Sequence, residues 1–343
     1  MLVRVLYHDC CFDGATSAAL FSEFYRRCVL PDAQFEYVGM NHGPGDVFAG
    51  AFIDGPDTEH VCVDFRYSTD SRLSWWFDHH QSAFLSDQDQ AHFHAAQNRR
   101  HFYDPKAQSC SKFLATCCSS AFGFDPTPFA DLIAWADLID GARFVSPEQA
   151  VMCREPALQL MTWVEQNRDP QLKLRFISAL RSQSLDEIAA ESYVQDGIAP
   201  VVKMRDEVLR VLHERAVVLD GVVTYDVTDV PQILVSKFAP YYLFPDAHYV
   251  VGLSSLPGRT KISVGSNPWR AERRTATTRT PGCDALNRST SARSSSRFLP
   301  PYANHSETIV RSSSSWGAQE LGATPESAAA SVAPSRSTNA RRP

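Results

Sequence analysis

The chain of 343 residues carries 33 Lys+Arg against 39 Asp+Glu, a formal net charge of −6, and 44% hydrophobic residues, enough for one large or two ordinary domains. An acidic balance excludes a protein that coats nucleic acid nonspecifically, because that affinity comes from neutralising many phosphates; a compact phosphate-handling site stays open. No run of about 18 apolar residues exists to span a bilayer, and the N-terminus opens on a β-rich run without the regions of a signal peptide, so a cytoplasmic location with no membrane partner is expected.

Residues 2–7 (LVRVLY) predict a strand, and beyond Gly14 the apolar positions Ala18, Leu20, Phe21, Phe24 and Tyr25 fall at helical spacing. FEYVGM (35–40), HVCVDF (60–65) and LSWWFDHH (73–80) then each bring a β-type run to a polar end, and HFYD (101–104) adds a fifth strand before a helix near 108–121. Strands alternating with helices predict an α/β domain, residues 1–145, with a parallel sheet covered on both faces. From 127 to about 218 the pattern is helical; residues 146–218 form a connector, and Pro200 is expected to interrupt its last long helix. VVTYDV (222–227), PQILVSKFAPYYLF (231–244), HYVVGLSS (248–255) and RTKISVGS (259–266) read as strands around a short helix, a second and smaller α/β unit over 219–270.

Periodicity then stops. Residues 271–343 hold 10 Arg, no Lys, 5 acidic residues, 14 Ser and 8 Thr, a net +5 that leaves −11 on the first 270. Such a segment predicts a disordered tail. Nine cysteines, at 10, 11, 28, 62, 110, 117, 118, 153 and 283, form two adjacent pairs without any CxxC…CxxC spacing, so most are expected to be reduced, small buried hydrophobes.

Three of the predicted strands end in acidic or histidine residues: His8-Asp9-Cys10-Cys11-Phe12-Asp13-Gly14, then Asp64, then Asp78-His79-His80. In a parallel sheet the C-terminal strand ends share one edge, where open α/β folds place their sites. A lone Asp64 is more often a cap or turn residue, and a lone His8 more often structural. Three adjacent titratable groups behind the apolar run Leu73–Phe77 change that balance, because burying them without partners or a metal is costly. Mixed imidazole and carboxylate donors suit Mn2+ or Mg2+, one or two ions, and a paired site promotes phosphate ester hydrolysis.

In combination these motifs resemble the DHH phosphoesterase superfamily, over about residues 1–266: His-x4-Asp-Gly (8–14), the strand-end Asp64, FDHH (77–80), and Asp140-Gly-Ala-Arg-Phe144 matching an Asp-x-x-x-Phe/Trp segment, with Asp137 the competing choice. The resemblance implies that His8 holds one metal, Asp64 bridges, and Asp13, His79 and Asp140 hold the other. It also implies that His80 contacts the scissile phosphate, that Asp78 orients a ligand histidine, and that a metal-bound water is the nucleophile. Where many relatives have Asp-x-Asp-Gly this chain has Cys11-Phe-Asp13-Gly14, like an exopolyphosphatase-like branch with His-x-x-Cys-x-Asp-Gly. Cys11 is then a softer ligand, Asp9 substitutes, or the first site is weak.

The second unit resembles the superfamily's substrate-binding domain, its closing strand matched by Lys261 to Arg270; Lys261, Asn267 and Arg270 are the expected substrate contacts, against an ordinary edge strand and turn. The GGGH-type loop that follows in relatives is missing. A reading-frame change beyond Arg270, checked by translating the other two frames, is preferred over a genuine basic tail. The expected activity is hydrolysis of a compact phosphodiester or phosphoanhydride: a short single-stranded oligonucleotide, a cyclic dinucleotide or polyphosphate, and not long duplex DNA. The rivals are a phosphate-ligand binding protein without turnover, and a zinc or redox module built on Cys10, Cys11, Cys117 and Cys118.

Overall fold

The computed structural model describes residues 1–43, 46–96, 98–230, 235–256, 259–273 and 307–312. The first unit follows the predicted alternation: β1 (Leu2–His8), α1 (Phe12–Cys28), β2 (Gln34–Met40), β3 (Thr58–Val63), β4 (Leu73–Asp78), α2 (Asp87–Ala96), β5 (His101–Tyr103), α3 (Cys110–Phe122) and α4 (Ala130–Asp140). The five strands are parallel in the order β2-β1-β3-β4-β5, so their C-terminal ends do share one edge. Alternation along the strands turns Val3, Val5, Val61, Trp75 and Phe77 to one core and Leu6, Cys62 and Trp76 to another on the opposite face.

Helix α1 is buried from Phe12 to Tyr25, packed between the sheet and the helices α3, α4 and α7 (Pro170–Leu180). Helices α5 (Pro147–Met152), α6 (Pro156–Gln166), α7, α8 (Leu185–Ala189) and α9 (Ser192–Arg215) make up the connector. Its residues Leu160, Trp163, Phe176 and Ile188 belong to the same core as α1. Pro200 does not break α9, which runs unbroken past it. Pro200 and Asp196, whose carbonyl loses the missing N–H, both lie on the exposed side of the helix. The continuity matters: Val194 and Ile198 anchor α9 in the first core, and Val208, Val211 and Leu212 anchor it in the second.

That second core lies under a sheet ordered β10-β9-β8-β7-β6, from β6 (Val217–Leu219), β7 (Val222–Val227), β8 (Tyr249–Leu256), β9 (Arg259–Ser266) and β10 (Glu307–Ser312), with α10 (Ala239–Leu243) beside it. Of the run 231–244, residues 231–234 lie outside the described residues, and the rest is a turn leading into α10, the short helix expected among these strands. Of the segment expected to be a disordered tail, Ala271–Arg273 continue a 3-10 turn that begins at Pro268, and Glu307–Ser312 pair antiparallel with β9. Residues 274–306 and 313–343, where a frame change would be read, are outside the described residues. No helix among the described residues is long and apolar enough to cross a membrane.

Candidate metal centre

The strand ends build one cluster. His8 closes β1, and the chain turns through Cys10, at φ 59, into α1. Asp64 follows β3 at φ 57, a left-handed backbone that Asp tolerates better than most residues, with its N–H donating to the Phe77 carbonyl at 2.9 Å. Behind β4, the Asp78 carboxylate accepts from the His79 and His80 amides at 2.8 and 3.2 Å and from His80 Nδ1 at 2.7 Å. His79 Nδ1 lies 3.1 Å from the Ala107 carbonyl, which can only accept, so His79 turns Nε2 inward. Asp13, fully buried, accepts the Cys110 and Ser111 amides at 2.6 and 3.1 Å and so caps α3 as well as facing the cluster.

Two groups of donors result, His8, Asp64 and His80, and Asp13, Asp64 and His79, each with its atoms within 4.8 Å of one another. Asp64 belongs to both. His8 Nδ1 and His79 Nε2 each stand 3.4 Å from an Asp64 oxygen, and Asp140 Oδ2 is 3.4 Å from His79 Nε2. Both Asp64 oxygens, His8 Nδ1 and His79 Nε2 are nevertheless buried without a hydrogen-bond partner. Unpartnered buried donors around a shared carboxylate fit a bound divalent cation, since such atoms are otherwise expensive to bury.

The electrostatics agree. Burial would raise the Asp64 carboxyl, but the facing imidazoles of His79 and His8 hold it well below the carboxylate range. Asp13 and Asp140 are pushed up, first by burial and then by neighbouring carboxylates, Asp64 foremost. Against its own desolvation, His79 is drawn up to about 10 by Asp64, Asp13 and Asp140. A raised imidazole stabilises the fold fully below the unfolded value near 6.5 and loses that contribution as pH rises toward 10. The metal-free protein is therefore expected to lose up to about 1 kcal/mol per pH unit between pH 6.5 and 8. Urea unfolding of chelator-treated protein at those two pH values measures it, and equal midpoints would count against it. Metal binding should show the opposite trend, tightening as pH rises, because a ligand histidine must be neutral.

The remaining expected residues are placed as follows. Asp137 pairs with Lys112 at 2.9 Å and with Arg143, and accepts from Ser109 Oγ, so its charge is already matched; Asp140 is the one that reaches the cluster. Asp9 points away, paired with the buried Lys173 and bonded to Asn41. Cys11 sits at the start of α1 outside both donor groups, its thiol pushed well up by burial and the charge of Asp64. Neither donor group contains a cysteine, which leaves the zinc-module reading without a site among the described residues.

In the second unit the expected contacts are placed differently. Asn267 is buried, its amide donating to the Ala247 and Pro245 carbonyls and its oxygen accepting the Trp269 amide, so it holds a turn and has no group left for substrate. Arg270 pairs with the exposed Asp246, and Lys261 lies mid-strand opposite Ser254. Sequence reading also passed over His42, just beyond the end of β2, whose ring lies 5.0 Å from His8 and stacks on Phe65 at 4.6 Å. Burial first, then His8 and Arg66, lower its value to about 4. The strand-end rule that gathered the other residues would have gathered it.

No family model and no curated protein matches the chain. Among solved structures it is similar to a pGpG-specific phosphodiesterase, PggH, from Vibrio cholerae, at 17% identity over 80% of this chain and 86% of that one, with a TM-score of 0.58. An exopolyphosphatase-related protein from Bacteroides fragilis is 14% identical over 78% and 79% of the two chains, TM-score 0.42. The manganese-bound exonuclease RecJ is 14% identical over 78% of each, TM-score 0.45. At this identity the likeness to PggH shows a shared fold.

Proposed function

We propose that this chain is a metal-dependent phosphohydrolase acting on a compact phosphodiester or phosphoanhydride: a short single-stranded oligonucleotide, a cyclic dinucleotide or polyphosphate. The observation that carries this reading is Asp64, a buried carboxylate with both oxygens unpartnered, shared by two histidine-containing donor groups. His8, with His80 beside it, and Asp13, His79 and Asp140 on the other side would hold one or two Mn2+ or Mg2+ ions. Ions held there supply an activated water and neutralise charge on phosphoryl oxygens. Ala107 and Asp78 fix the two imidazole orientations, as outer partners of ligand histidines do. Asp78 also favours the protonated form of His80 against burial, which suits a group facing developing negative charge.

The fold likeness to a pGpG-specific phosphodiesterase supports the short single-stranded oligonucleotide among these substrates, pGpG being a linear dinucleotide. Cys11, standing where many relatives have a carboxylate, favours a second reading, a phosphate-ligand binding protein with no turnover. Manganese-dependent release of nitrophenol from bis-p-nitrophenyl phosphate, compared with His79→Ala, separates the two. Release that falls at least about a hundredfold in the variant supports the enzyme, the loss expected to exceed that of an outer partner. Equal release by both proteins would end the phosphohydrolase reading, and no release from a wild type that still binds Mn2+ would leave the binding protein.

A further inference from the structure

We infer that His42 is a stacking platform for a nucleobase beside the metal cluster, which makes the substrate a nucleotide rather than polyphosphate. This rests on reading the cluster as a phosphohydrolase centre and narrows the substrates proposed for it. The support of the platform is Phe65, directly behind Asp64. Phe65 is fully buried, its carbonyl accepts from Trp76 Nε1 at 2.8 Å, and the Phe48 ring meets its ring edge-on at 5.8 Å. His42 lies on that fixed ring with centroids 4.6 Å apart and planes 21° from parallel. The His8 ring stands 5.0 Å away at 61°, an edge contact. Phe65 and His8 thus take one face and one edge of the imidazole. His42 is nevertheless exposed, and next to it a Cβ on Gly43 would meet nothing within 4 Å, so the opposite face is the open one.

A ring held flat on a buried neighbour with its outer face in solvent is the arrangement on which unpaired bases stack, and little further ordering is needed when a base arrives. Its place selects the ligand. His42 belongs to neither donor group, yet it adjoins His8, whose Nδ1 stands 3.4 Å from Asp64. A phosphoryl group on an ion held by His8 and Asp64 would have the His42 ring about one sugar away, the separation of a base from its own 5′-phosphate. A polyphosphate has nothing to lay on that face. Arg66, the residue after Phe65, keeps a buried Nε without a partner among the described residues, so an anion held through the imidazole nitrogens is the rival occupant. A ring without nitrogens tells the two apart.

The test compares the full chain with His42→Ala and His42→Phe by calorimetry of 5′-GMP and of inorganic phosphate binding to the Mn2+-loaded protein, and by the KM for pGpG. The wild type should bind 5′-GMP more tightly than phosphate. His42→Ala should weaken 5′-GMP binding and raise the KM for pGpG by about five- to a hundredfold, the range of base–aromatic stacking, with the phosphate Kd unmoved. His42→Phe should restore most of the loss, and Mn2+ affinity should hold in both variants. Equal binding of 5′-GMP and phosphate by the wild type would overturn the inference, as would 5′-GMP binding that His42→Ala leaves unchanged. A loss that phenylalanine does not restore would also overturn it, giving the site to an anion, and weakened Mn2+ binding would make His42 a support of the metal instead. If the wild type cleaves neither pGpG nor bis-p-nitrophenyl phosphate, the phosphohydrolase reading fails by itself. Calorimetry of 5′-GMP against phosphate then still decides for or against His42.

Discussion

Asp64→Asn is expected to abolish phosphodiester hydrolysis and tight manganese binding together while leaving the fold intact. The residue is buried and lies in both donor groups, so the exchange weakens every site the cluster can offer. Loss of an outer partner costs about 10–100-fold in such centres, and removal of a shared charged ligand should exceed 10³-fold, roughly 4 kcal/mol. Asparagine is the informative replacement. It keeps the shape of Asp64 and is at ease at the left-handed φ of 57, where alanine would add strain of its own. A variant with native circular dichroism, no nitrophenol release and manganese affinity lowered by orders of magnitude is the expected result. Retained activity with retained manganese would remove Asp64 from the centre, and with it the case for a metal-dependent reaction.

How far the site could be read in advance depended on whether a residue's role was fixed by its own strand or by a distant one. His8, Asp64 and Asp78 to His80 follow directly from apolar runs that stop at polar residues, because a parallel sheet gathers such ends on one edge. Asp137 and Asp140 lie three residues apart on α4, close to one face, so spacing alone could not separate them. What separates them is Lys112 and Arg143, which neutralise Asp137 and leave Asp140 to His79. The second unit was harder for the same reason. Asn267 looks available in the sequence only because its acceptors, the Ala247 and Pro245 carbonyls, lie about twenty residues away. Pro200 does not end α9, because Val194 and Ile198 on one side and Val208, Val211 and Leu212 on the other hold it as one helix by packing in two cores, which propensity alone does not show.

Gly14→Ala should be the most damaging single-methyl change at the centre. A Cβ at Gly14 would lie 2.2 Å from the carbonyl oxygen of His8 and 3.0 Å from its carbonyl carbon, and that neighbour is backbone, which cannot swing aside. Helix α1 would have to retreat from the end of β1, yet it is buried from Phe12 to Tyr25 and packed on α3, α4 and α7, so no free direction exists. Overpacking of this kind costs about 1–3 kcal/mol or more. The displacement also parts His8 from Asp13, which α1 carries, so manganese affinity should drop at least about tenfold even in the molecules that fold, a 1.4 kcal/mol loss. Gly123→Ala supplies the comparison. Gly123 ends α3 at φ 72 with nothing within 4 Å of a Cβ, so alanine there costs about 1–2 kcal/mol of backbone strain and should leave manganese binding untouched. Thermal melts and manganese titrations of the two variants side by side therefore separate lost stability from lost geometry. If Gly14→Ala binds manganese like Gly123→Ala, the close approach of α1 to β1 is not what aligns His8 with Asp13.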